Sequence, residues 1–148
     1  MPNPPLTPAD SVIDPATLQA YRETEYCVLT EVPFSLHIDQ ISTDLIALQQ
    51  HHQVKCSAFL TACNPFSQPL GTTENQARQE SLAAELKNRG FSYMKGIGQH
   101  PSNNWPGEPS FLVLGQSLES VMALGSQFGQ NAIVWNNASG MSSLILLR

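Results

Sequence analysis

The chain has 148 residues, of which 41% are hydrophobic and 13% are charged, and its formal net charge is -5. This length fits one domain whose core needs no disulfide or metal. The seven Lys and Arg residues are scattered singly, which argues against a double-stranded nucleic acid as a partner. The three cysteines lack zinc-site spacing, which suggests reduced thiols. The sequence has no signal-peptide pattern and no apolar run of the ~18–20 residues that a bilayer crossing needs. We therefore expect a cytoplasmic protein with no membrane partner.

The first third of the chain predicts an arm, two helices and a hairpin. The prolines near the start indicate a flexible Pro-rich arm over 1–13, followed by a single domain over 14–148. Asp14 and Pro15 are typical of a helix start. The apolar runs of "TEYCVLTEVPFSLHI" indicate a hairpin, and a helix capped near Ser42 follows it.

A buried strand and a long helix are predicted next. The run "VKCSAFLTAC" is almost entirely apolar, which indicates a strand buried on both faces. In the helix, Thr73 and Gln76 have the spacing of a capping box. The apolar stripe of this helix is centred on Leu82. Continued backward, it reaches Gln79 and Asn75, so we expect the inward face to become polar at the first turn.

The second half of the chain predicts four strands and one helix. In chain order they are strand 91–98, strand 110–115, helix 118–128, strand 131–135 and strand 142–148. Gly125 lies on the apolar face of the helix, where we expect close packing. About seven strands and three or four helices favour one α+β domain. We expect a mixed or mainly antiparallel sheet of about 6–7 strands, with the helices mainly on one face.

Four sequence blocks resemble a known bacterial family. The blocks "FLTACNPFSQPL", "ENQARQESLAAEL", "WPGEPSFLVLG" and "FGQNAIVW", in this order and spacing, are similar to the family called domain of unknown function 3293. The resemblance covers about residues 21–135. It implies a small bacterial single-domain protein whose family has no assigned activity. It also implies an aromatic residue where this chain has Cys63, which argues against an essential thiol.

The loop after the buried strand is the first candidate site. It and the helix that follows contain Thr61, Asn64, Ser67 and Asn75. Strand ends and helix starts often hold ligands, because they supply inward-pointing side chains and free N–H groups. Asparagine offers both a donor and an acceptor, which suits amides, nucleobases or sugars. The alternative is that these side chains only brace the turn.

Two further segments carry candidate ligand contacts. In "WPGEPS", Trp105 would stack on a planar ring, Ser110 would add a hydroxyl, and Glu108 would act as a general acid or base if burial raises its pKa. Alternatively, Trp105 fills the core edge and Glu108 binds loop N–H groups. Gln130 and Asn131 open a strand, where they either cap the preceding helix or face the same sheet edge.

Together these residues predict a neutral-to-acidic polar cleft at one edge of the sheet. We expect it to bind a small polar molecule, nucleoside-like or amide-bearing, with no metal and no cofactor. Any reaction there would be a metal-independent hydrolysis or group transfer with Glu108 as the general acid or base. The sequence leaves open whether the protein is an enzyme, and it leaves the oligomeric state open too. The alternative is a protein-interaction module that uses an edge strand or the Pro-rich arm.

Overall fold

Residues 6–148, which this computed structural model describes, form four α-helices around one sheet. The helices are α1 (Pro15–Glu23), α2 (Thr43–His51), α3 (Thr72–Asn88) and α4 (Leu118–Gln127). The strands are β1 (Glu25–Val28), β2 (Phe34–Leu36), β3 (Ser57–Leu60), β4 (Ser92–Gln99), β5 (Glu108–Leu114), β6 (Ala132–Asn136) and β7 (Ser142–Leu146). No helix among these described residues combines the length and the apolarity that a bilayer crossing demands.

The seven strands form one sheet in the order β2-β1-β4-β5-β3-β6-β7. Every neighbouring pair is antiparallel. The predicted α+β class, the strand number and the antiparallel alternative are therefore confirmed. All four residues of β3 are buried, as the unbroken apolar run indicated, because β3 lies between β5 and β6 with packed layers on both faces.

The helices cover both faces of the sheet. Leu82 of α3 and Val121 of α4 join the core on one face. Leu45 of α2 belongs to the core on the opposite face, where Leu18 of α1 packs with Leu146. The expectation that the helices lie mainly on one face therefore holds for α3 and α4 but is wrong for α1 and α2. The reason is that the central strands are apolar on both faces, and each face needs a cover.

The expected flexible arm over 1–13 falls partly outside the described residues, which exclude 1–5. From Leu6 onward the chain contacts the sheet, since Leu6 forms an antiparallel bridge with Leu146. Ile13 is buried in the small core beneath α1. These contacts fix the start of α1 above the end of the sheet, and that position determines the shape of the candidate site.

The start of α3 differs from the capping box that the sequence predicted. The helix begins at Thr72 with Gly71 as its N-cap, and no side chain caps it. Thr73 already lies in the first turn, so its hydroxyl is not at the capping position. Gln76 donates instead to Glu80 one turn later. The capping-box prediction is wrong because the helix starts earlier than the Thr73–Gln76 spacing requires.

Gly125 is closely packed, as predicted. A Cβ on this residue would lie 2.6 Å from Cδ1 of Leu147 and 2.9 Å from Cγ2 of Ile133. We expect Gly125→Ala to lower the free energy of unfolding by about 1 kcal/mol, because overpacking outweighs the gain in helix propensity. Urea denaturation measures this change, and Ser126→Ala on the exposed side of α4 is the control. A higher stability in Gly125→Ala would contradict the close packing.

Candidate functional site

The loop between β3 and α3 has an unusual backbone. Asn64, Phe66 and Ser67 all have positive φ angles, of 46°, 55° and 58°, around a single 3₁₀ turn at Pro65–Ser67. Asparagine tolerates this region better than most residues, whereas phenylalanine rarely adopts it. Strained backbone of this kind clusters at functional sites. Here it turns the side chain of Asn64 toward α3 and the start of β5.

Asn64 and Asn75 hold each other through two hydrogen bonds. The backbone N–H of Asn64 donates to Oδ1 of Asn75 at 2.9 Å, and Nδ2 of Asn75 donates to Oδ1 of Asn64 at 2.8 Å. The backbone N–H of Leu70 donates to the same Oδ1 at 3.0 Å. The first turn of α3 is therefore polar on its inward side, as predicted. These bonds also show that both asparagines brace the loop.

Glu108 is held through only one of its two carboxylate oxygens. Nδ2 of Asn64 donates to Oε1 at 2.8 Å, and Nε1 of Trp105 donates to the same oxygen at 3.2 Å. No residue in the described part of the chain hydrogen-bonds Oε2. Burial raises the pKa of Glu108, and the bonds from Asn64 and Trp105 offset only part of this effect. The carboxyl group is therefore positioned and has one oxygen available.

The raised pKa of Glu108 predicts a pH-dependent effect of Glu108→Gln on stability. Because the folded state raises this pKa, the wild-type protein loses stability as pH rises through the raised value, whereas the glutamine variant loses nothing from this group. We expect the melting temperature of Glu108→Gln, relative to wild type, to increase between pH 4 and pH 8. Thermal melts across this range test the prediction, with exposed Glu119→Gln as the control. A difference that is constant with pH would contradict it.

A cavity of about 330 Å³ lies between α1 and the sheet. Seven of the nine predicted site residues line it, namely Thr61, Asn64, Ser67, Trp105, Glu108, Ser110 and Gln130. Ala16, Ala20 and Tyr21 of α1 form one wall, and Tyr26 and Phe59 contribute apolar surface from the sheet. Three segments that are distant in sequence therefore meet around a single concavity.

Asn131 and Asn75 support this cavity from outside. Nδ2 of Asn131 donates to Oγ of Ser67 at 3.0 Å and to the hydroxyl of Tyr21 at 3.1 Å, and these two hydroxyls also bond to each other. Asn131 thus ties the strained loop to α1. Asn75 lines a second cavity of about 620 Å³ on the α3 side. Glu108 borders both cavities.

The sequence did not single out Tyr21 or Arg78, and both have important contacts here. Nε of Arg78 donates to the carbonyl oxygen of Ala62 at 2.6 Å, and Nη2 donates to that of Phe128. Arg78 thereby joins the end of β3 to the end of α4. Its position one turn after Asn75 was the one available signal.

Cys63 is unsuited to act as a nucleophile. The residue is buried, and desolvation raises the pKa of its thiol. Its Sγ donates to the carbonyl oxygen of Pro109 at 3.7 Å. A thiolate is therefore disfavoured at this position, in agreement with the argument from the family resemblance.

The comparisons with known proteins identify a family. A family described as "Protein of unknown function (DUF3293)" matches residues 60–133, which is half of the chain. The match runs from the end of β3 into β6 and includes all nine predicted site residues. No curated protein and no solved structure matches the chain. The chain belongs to the DUF3293 family.

Proposed function

We propose that the protein binds a small polar ligand, nucleoside-like or amide-bearing, in the cavity between α1 and the sheet. The observation that supports this proposal is the hydrogen bonding of the Glu108 carboxyl group. Its Oε1 is fixed by two donors, whereas its Oε2 has no partner in the described part of the chain. A positioned carboxyl group with one open oxygen at a cavity wall suits recognition of a ligand N–H or O–H group.

The size and lining of the cavity support a small ligand. Its volume of about 330 Å³ is at the lower end of the range for ligand sites, roughly 300–1,000 Å³. Its walls combine apolar side chains such as Phe59 with polar groups such as Glu108. Trp105 is 39% exposed and adjoins Glu108, so its indole ring would stack on a planar ligand.

We also propose that any reaction at this site is a metal-independent hydrolysis or group transfer. A carboxyl group with a raised pKa holds a proton closer to neutral pH than an ordinary glutamate and can exchange it with a substrate. Glu108 is the residue for this role. Asn64 positions it, because the Asn64 amide holds Oε1 at 2.8 Å.

A thermal-shift screen with nucleosides and amino-acid amides tests the proposed binding. A ligand at a hundred times its Kd stabilises the folded state by about 2.7 kcal/mol, which corresponds to a shift of about 5–10 °C. Ala20→Phe places a large ring in the cavity wall and should abolish the shift. Ala47→Phe on the exposed side of α2 is the matched control. A shift that persists in Ala20→Phe would place the ligand elsewhere.

A protein-interaction module is the second candidate, and one exposed patch favours it. Val32 and Leu29, in the turn between β1 and β2, are 80% and 47% exposed. Strand addition has less support, since the edge strand β2 has only three residues. For either function we propose a cytoplasmic location, because all three cysteines are unpaired, and a bacterial source, which the family resemblance implies. A screen without any thermal shift would favour the interaction module.

A further inference from the structure

Three hydroxyl donors of the cavity wall are already used within the protein. The hydroxyl groups of Thr61, Ser110 and Tyr26 donate to backbone carbonyl oxygens at 2.7, 3.0 and 2.6 Å, respectively. Nε1 of Trp105 donates to Glu108. A ligand that needs several donors from the protein therefore finds few in this cavity.

Two carboxyl or amide oxygens of the wall accept no hydrogen bond from the described residues. One is Oε2 of Glu108, which has no partner among the described residues. The other is Oε1 of Gln130, a residue that is only 8% exposed. Nε2 of Gln130 donates to the carbonyl oxygens of Cys63 at 3.1 Å and Phe128 at 3.3 Å, which fixes the orientation of the amide. Its Oε1 accepts no bond from the residues described, although the side chain lines the cavity.

Among the described residues, the cavity wall contains one carboxyl group, on Glu108, and one basic side chain, on His100. No Lys or Arg is among the described residues that line it. Nδ1 of His100 accepts two backbone N–H groups, from Ser102 at 3.1 Å and Asn103 at 3.0 Å, and its Nε2 lies 3.4 Å from Oε2 of Glu23, so this ring already faces a carboxylate other than Glu108. The carboxylate of Glu108 consequently has no cationic partner within the wall.

We infer that the ligand group that contacts Glu108 is a cationic hydrogen-bond donor, a protonated amine or amidine. Its N–H groups satisfy Oε2 of Glu108 and Oε1 of Gln130, and its charge complements the carboxylate. The aromatic side chains of Tyr26, Phe59 and Trp105 line the same cavity, and aromatic rings attract cations. An anionic group finds no Lys or Arg among the described residues of the wall. The inference rests on the proposed function for its location, and it defines the ligand's charge.

Three matched aromatic probes test this inference. Benzamidine, benzamide and benzoate have nearly the same shape but carry a cationic donor, a neutral amide and an anion. Titration of each into the protein is followed by the backbone NMR signals of the residues that line the cavity. We expect benzamidine to bind at least about tenfold more tightly than benzamide, because hydrogen bonds to charged groups are the stronger ones. Benzoate should not bind.

Two variants assign the preference to the carboxylate. Glu108→Gln should remove the preference for benzamidine over benzamide, whereas exposed Glu119→Gln should retain it. Equal binding of benzamide and benzamidine to the wild-type cavity would overturn the charge assignment and leave the proposed site intact. A preference that survives Glu108→Gln would overturn it as well. If no probe and no nucleoside shifts the cavity signals, both proposals fail.

Discussion

Asn64→Ala is expected to lower the free energy of unfolding by about 2–4 kcal/mol. The change removes the acceptor of the Leu70 N–H group and of the Asn75 amide, and it removes the donor to Glu108. It also places alanine at a φ of 46°, which asparagine tolerates better. Urea denaturation followed by circular dichroism measures the loss.

Asn64→Gly separates the two causes. Glycine adopts positive φ without strain but lacks the side-chain bonds, so it should be about 1 kcal/mol more stable than Asn64→Ala. Asn104→Ala, in the exposed loop before β5, is the control and should have little effect. Equal stability of the wild type and Asn64→Ala would mean that the hydrogen bonds around Asn64 contribute nothing, and the loop geometry described above would be wrong.

The polar start of α3 could be predicted because helix periodicity is local. The stripe through Leu82 extends to Gln79 and Asn75, and Gln79 is buried and accepts the N–H group of Ala62 at 3.1 Å. The same logic located β3, since an unbroken apolar run has no polar side to expose. Turn chemistry was less informative. Asn64 both braces the loop and contacts Glu108, and its residue type fits either role.

The arrangement that closes the cavity depends on contacts that leave no pattern in the sequence. The placement of β4 and β5 between β1 and β3 determines that Glu108 meets Asn64, and strand order is a long-range property. The position of α1 over the opposite face is equally non-local. Arg78 bonds to backbone carbonyl oxygens, which every residue has. The polar residues of the candidate site were thus easier to predict than the spatial arrangement that encloses them in a cavity.

Asn64→Asp is expected to destabilise the protein in a pH-dependent way. It replaces the amide nitrogen 2.8 Å from Oε1 of Glu108 by an oxygen, so two carboxyl groups then face each other. Like charges raise the pKa of such a pair, so the folded state favours the protonated pair. Stability is therefore present at acid pH and lost as pH rises through the raised pKa. We expect a loss of about 2–3 kcal/mol at pH 8 and a small loss at pH 4 in urea denaturation.

Adding Glu108→Gln to Asn64→Asp exchanges the amide and the carboxylate between the two positions. The glutamine amide then donates to the aspartate, so the bond seen at 2.8 Å forms in the reverse direction. The indole N–H of Trp105 donates to the same oxygen and loses its acceptor in this exchange, so stability at pH 8 should recover a large part, and not all, of the loss in Asn64→Asp. Such a recovery is a non-additive result that two independent sites would not give. If the double variant is as unstable as Asn64→Asp alone, repulsion between the carboxylates is not the cause. The contact between Asn64 and Glu108 would then have no role in holding the open oxygen of Glu108 at the cavity.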